Sequence, residues 1–89
     1  MRLALVLLIF LAVPASAAPQ CGPRADILKF LATKYNETTR VVGLAGDAVI
    51  EVHASDSGTW TITMTTANGV TCLLASGSAY DAIPPGVAG

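Results

Sequence analysis

Histidine occurs once in this chain, as His53, and Glu51 stands two residues before it. On an extended strand that spacing puts both side chains on one face, where a carboxylate and an imidazole can approach each other. General acid–base chemistry would need that pair to serve a nucleophile, with a third group to orient the base. No serine or cysteine falls into such an arrangement around His53. As metal ligands the pair is short too, since zinc takes three or four protein ligands. Glycine-rich phosphate loops and paired-carboxylate clefts are also missing from the sequence, so no catalytic, cofactor-binding or metal-binding residues are assigned. The Thr61-x-Thr63-x-Thr65 row is a good strand former on a solvated face.

Cysteine occurs twice, as Cys21 and Cys72. The pair lacks the C-x-x-C spacing that lowers a thiol pKa, and no second ligand cluster accompanies it, so a structural disulfide between the two is expected. Asn36-Glu37-Thr38 is an acceptor sequon that matters only in a glycosylating host.

The elements that would position these residues follow from hydrophobic patterning. Residues 1–17 read as a secretory signal peptide: Arg2 precedes the apolar run Leu3 to Val13, and Ala15-Ser16-Ala17 after Pro14 supplies small residues for cleavage before Ala18. Eleven apolar residues fall short of the roughly 20 needed to cross a bilayer. Gln20 before Cys21 argues against a lipid anchor. Without Arg2 the mature chain carries four basic and six acidic residues, a net charge of −2. That balance, with no basic cluster, removes the electrostatic basis for binding nucleic acid or an anionic membrane.

A helix is expected from Pro23 to Tyr35, with Ile27, Leu28, Leu31 and Tyr35 on one stripe. Beyond it the period changes from about 3.6 to 2. Four strands are expected, at Thr38–Leu44, Val49–Ala54, Trp60–Thr66 and Val70–Ala75, joined by turns at Ala45-Gly46-Asp47, Ser55 to Thr59 and Ala67-Asn68-Gly69. For the last hairpin, a three-residue loop with Gly69 left-handed pairs Met64 with Cys72 and Ile62 with Leu74, which keeps one face apolar. A two-residue Asn68-Gly69 loop would instead set Leu74 among the threonines.

The expected fold is therefore α+β, one N-terminal helix packed on a four-stranded antiparallel meander with a single disulfide. The domain spans residues 18–77, and residues 78–89 form a flexible C-terminal tail. The helix is expected to cover Ile50, Val52, Trp60, Ile62, Met64, Cys72 and Leu74. Glu51, His53, Thr61, Thr63, Thr65, Thr71 and Leu73 would then be the wet face, with Glu51, His53, Thr61, Thr63 and Leu73 as a possible interaction face. Were Thr63 the buried residue of the two faces, the shorter Asn68-Gly69 turn would be the expected one and that surface would move to the side carrying Trp60.

Cys21-Gly22-Pro23-Arg24, Trp60-Thr61-Ile62-Thr63 and the run Gly69 to Gly77 resemble a group of small secreted, periplasmic proteins of alphaproteobacteria. The resemblance covers most of the mature chain. It implies a periplasmic setting and a single-disulfide architecture, and it brings no activity with it. The expectation for function is a non-enzymatic interaction or accessory module, inhibitor-like in character, monomeric and free of cofactors, with a protein as its partner. The alternatives are a small enzyme using His53 and Glu51, or a passive structural or stress protein.

Overall fold

The computed structural model describes residues 20–86, so the expected signal peptide lies outside the described residues. Strand β1 (Cys21–Pro23) leads directly into helix α1 (Arg24–Tyr35), followed by β2 (Thr38–Ala45), β3 (Ala48–Ala54), β4 (Trp60–Thr65) and β5 (Val70–Gly77). All five strands join one antiparallel sheet in the order β1-β5-β4-β3-β2. The α+β class, the single helix and the disulfide are as expected; the sheet has five strands rather than four. The extra strand is Cys-Gly-Pro, too short to show any alternation. It exists because Cys21 lies directly opposite Cys72 on β5, and backbone bonds flank that pair, from Leu73 N–H to the Gln20 carbonyl at 2.9 Å and from Arg24 N–H to the Gly69 carbonyl at 3.2 Å.

Local chemistry sets the ends of α1. Pro23 stands just before the first helical residue at φ −58°, and Asp26 in the first turn complements the helix dipole. At the other end Asn36 takes the left-handed conformation at φ 57°, and the Glu37 N–H returns to the Leu31 carbonyl at 3.1 Å, so the chain turns sharply into β2. Of the expected stripe, Leu31 is buried, Ile27 and Leu28 are half-buried, and Tyr35 is 44% exposed with its ring edge-on to Phe30.

The β4–β5 hairpin closes through the three-residue loop Ala67-Asn68-Gly69, with Gly69 at φ 86° and the Thr66 N–H bonded to the Val70 carbonyl. Met64 pairs with Cys72 as this loop dictates. The second expected pair fails: a bulge between Ile62 and Thr63 makes Ala75 the partner of Ile62 and leaves Leu74 51% exposed. At the end of the hairpin Trp60 faces Gly77, where a methyl group would lie 2.8 Å from the indole. Glycine there lets the ring lie flat against the strand, and its N–H donates to the Ser78 carbonyl at 2.9 Å. The Tyr80 N–H likewise reaches the Gly58 carbonyl, so the chain stays on the sheet for a few residues beyond β5.

The covered face is the reverse of the one expected. Glu51, His53, Thr61, Thr63, Thr65 and Thr71 are all buried, whereas Ile50, Val52, Trp60, Ile62, Met64 and Cys72 are only half-buried. The reason is topological. Four successive antiparallel pairings make β1 and β2 run in the same direction at opposite edges, so α1 is a crossover spanning the whole sheet. The face covered by a crossover is set by the handedness of its connection rather than by which face is more apolar. The hairpin register is independent of that choice, which is why the loop follows expectation and the face does not.

Candidate functional site

The polar residues gathered beneath α1 form internally paired clusters rather than a wet surface. Alternation on β3 places Glu51 and His53 on the helix side, and their cross-strand partners on β4, Thr63 and Thr61, share that side. His53 sits between two hydroxyls: Nε2 is 2.8 Å from Thr63 Oγ1, and Nδ1 is 3.0 Å from Thr39 Oγ1 on β2. A neutral ring satisfies both contacts, one nitrogen donating and the other accepting. Thr65 and Thr71 pair with each other at 2.6 Å across the β4–β5 hairpin. Because these hydroxyls have partners, the threonine face can be dehydrated without leaving orphan polar groups.

Glu51 is answered from the helix. Arg24, the first residue of α1, donates from Nε at 3.1 Å and from Nη2 at 2.6 Å to the two carboxylate oxygens. The bond is asymmetric, since the Arg24 side chain is 46% exposed and that of Glu51 only 2%. Water keeps the guanidinium solvated while the carboxylate is held dry, which softens the desolvation cost of a fully buried pair. The hydrogen bond to Arg24 holds the Glu51 carboxyl below the usual carboxylate range against the opposing effect of burial. Burial pushes the His53 imidazole below its ordinary value, against the upward pull of Glu51 and Glu37.

Glu37 is the fourth ionisable group at this core, after Glu51, Arg24 and His53. It is 3% exposed, and its Oε1 has no hydrogen-bond partner. Arg24 and Thr39 are hydrogen-bonded into this core and Glu37 acts on His53 through its charge alone; sequence reasoning missed all three. Glu37 was visible only as the middle of a sequon, and Arg24 stands 27 positions from Glu51, beyond any local pattern.

The proposed interaction face is thereby corrected: Glu51, His53, Thr61 and Thr63 are each 2% exposed or less, and Leu73 is half-buried. The side chains are brought together as expected, but beneath α1 rather than on an open surface. Among the described residues no three His, Cys, Asp or Glu are grouped to hold a metal ion. The shallow depression between Cys21–Pro23 and Asp26, Ile27 and Phe30 of α1 is mainly apolar and offers no convergent polar groups.

This network fixes the pH dependence of stability. Glu51 has a lowered pKa in the fold, so its contribution is present above the unfolded carboxylate value and is lost as pH falls through the folded one. His53 also has a lowered pKa, so below about 6.5 the unfolded chain takes up a proton that the folded chain refuses. Both effects destabilise in acid. The melting temperature is expected to be flat at mildly alkaline pH, to begin falling near pH 6.5 and to fall again in the carboxylate range. His53→Gln should remove the first limb and keep the second; a melting profile for His53→Gln that still breaks near pH 6.5 would count against this assignment.

No helix among the described residues is long and apolar enough to cross a membrane. Compared with known proteins, the chain matches no family, and neither a characterised protein nor a solved structure shows significant similarity to it.

Proposed function

We propose that this chain is exported, that residues 1–17 are removed on the way, and that the mature domain is a non-enzymatic binding module of the periplasm. Its contact surface is the sheet face turned away from α1, and its partner is a protein. One observation carries the reading: the apolar side chains Ile50, Val52, Trp60, Ile62 and Met64 lie half-exposed on a face that the only helix among the described residues does not cover. Contiguous apolar surface of that kind marks protein contact sites, with the aromatic ring as the natural anchor. The disulfide and the resemblance to small secreted proteins support export. Burial of His53 and Glu51 weighs against the enzyme alternative.

The test uses the tagged protein recovered from the periplasm. Its intact mass should correspond to a chain beginning at Ala18. As bait against a periplasmic extract it should retain a partner that the Ile62→Asp variant, altered on the open face, does not. Equal retention by the two baits would overturn the choice of surface. Turnover of a general hydrolase substrate that disappears in His53→Gln would overturn the non-enzymatic reading.

A further inference from the structure

The two edges of the sheet are treated very differently. At one edge β1 is three residues long, ends in Pro23, which has no N–H to offer, and is fastened to β5 by the disulfide. Short strands and edge prolines are the devices that stop a sheet from growing. At the other edge β2 presents eight residues, and among the described residues only β3 is paired with it. Half of its backbone N–H and C=O groups face outward. Its side chains Val41, Val42 and Leu44 are 56%, 61% and 76% exposed, apolar on both faces of the strand.

Nothing on β2 guards that edge. The strand carries one charge, Arg40, at the bulge where β2 shifts register against β3. Its guanidinium is turned back onto Asp56 at 3.2 Å and lies over the Tyr80 ring. From Val41 to Ala45 the strand is regular and uncharged.

We infer that β2 pairs with β2 of a second copy, in antiparallel fashion about a two-fold axis, to make one continuous ten-stranded sheet. The sequence is self-complementary in that orientation. With the axis at Gly43, Val42 of each copy lies opposite Leu44 of the other, and Val41 opposite Ala45. Arg40, the one charge on the strand, stays on Asp56 and Tyr80 of its own copy, so no like charges are set opposite each other across the axis. Because the β1 edge is closed by Pro23, the pairing cannot propagate into a fibre and ends at two copies. Main-chain bonds supply the attraction, and the apolar pairs fix the register. This departs from the monomer expected from the sequence, and it leaves the open sheet face free for a partner.

Sedimentation of the purified protein over a concentration series tests the pairing. A dimer is expected, with amides of Val41 to Ala45 exchanging more slowly at high concentration than at low. Val42→Lys should weaken the dimer about tenfold or more by placing cations near the axis, while the far-ultraviolet spectrum and the melting of the dilute protein stay as in wild type. Leu44→Lys, at a still more exposed position, repeats the test should Val42→Lys fold poorly. Ile62→Asp, which alters the open face, should leave the dimer intact, so failure of the edge and failure of the proposed binding face are told apart. Wild-type protein that stays monomeric at the highest concentrations overturns the inference, as does a dimer that survives both lysine variants with β2 amides exchanging freely.

Discussion

Thr63→Asp is expected to unfold the domain, whereas Ile62→Asp on the adjacent residue should cost only about 1–2 kcal/mol. Thr63 is fully buried, lies opposite Glu51 on β3, and its hydroxyl is hydrogen-bonded with His53 Nε2 at 2.8 Å. A carboxylate there must be accommodated next to another dry carboxylate, Glu51, whose two oxygens already take the Nε and Nη2 donors of Arg24. An uncompensated buried charge costs about 3–5 kcal/mol, a large part of the stability of a domain this small. Ile62 points to the open face and is half-buried, so aspartate there loses some apolar contact and β-propensity but keeps its hydration. Urea denaturation of the two variants, followed by tryptophan fluorescence, checks the order. Thr63→Val is the control: it keeps the shape but leaves the imidazole nitrogen without a partner, at a cost of about 1–3 kcal/mol. A folded Thr63→Asp beside an unfolded Ile62→Asp would restore the face assignment drawn from the sequence.

That reversal shows which parts of the fold are legible locally. Gly69 in the left-handed region, the three-residue loop and the Met64–Cys72 pair follow from turn chemistry and alternation within a dozen residues, and the structure has them. The Gly46 turn, with φ 63°, belongs to the same class. The choice of covered face is different in kind. It depends on β1, and Cys21-Gly22-Pro23 has neither the length nor the pattern of a strand. Without β1 there is no crossover, and the apolar face is the natural one to bury. Alternation on β3 and β4 correctly grouped Glu51, His53, Thr61 and Thr63, but the partners that make their burial tolerable come from elsewhere. Arg24 comes from the start of the helix and Thr39 from β2. A polar row that can pair internally reads in sequence as a solvated one, because the pairing is long-range.

Reduction of the disulfide, or Cys72→Ser, is expected to lower stability by about 2–5 kcal/mol. Cys21 and Cys72 are 51 positions apart and lie directly opposite each other in the β1–β5 pair, with Cα atoms 4.0 Å apart. In the chain-entropy view, closing a loop of that length removes about 4 kcal/mol of freedom from the unfolded chain. The location adds a second effect. β1 has three residues and few bonds of its own, so the cross-link is what holds it at the sheet edge, and Arg24 follows immediately after Pro23. Loosening β1 therefore loosens the guanidinium that keeps Glu51 ionised in the core. Thermal melts with and without a thiol reductant measure the loss. Amide exchange locates it: the Leu73 N–H, bonded to the Gln20 carbonyl, should lose protection before the Thr61 and Thr63 amides of the central strand β4. If instead the reduced protein melts where the oxidised one does and Leu73 stays protected, β1 is held by its backbone bonds and the Arg24–Glu51 pair alone, and the disulfide adds nothing to the fold.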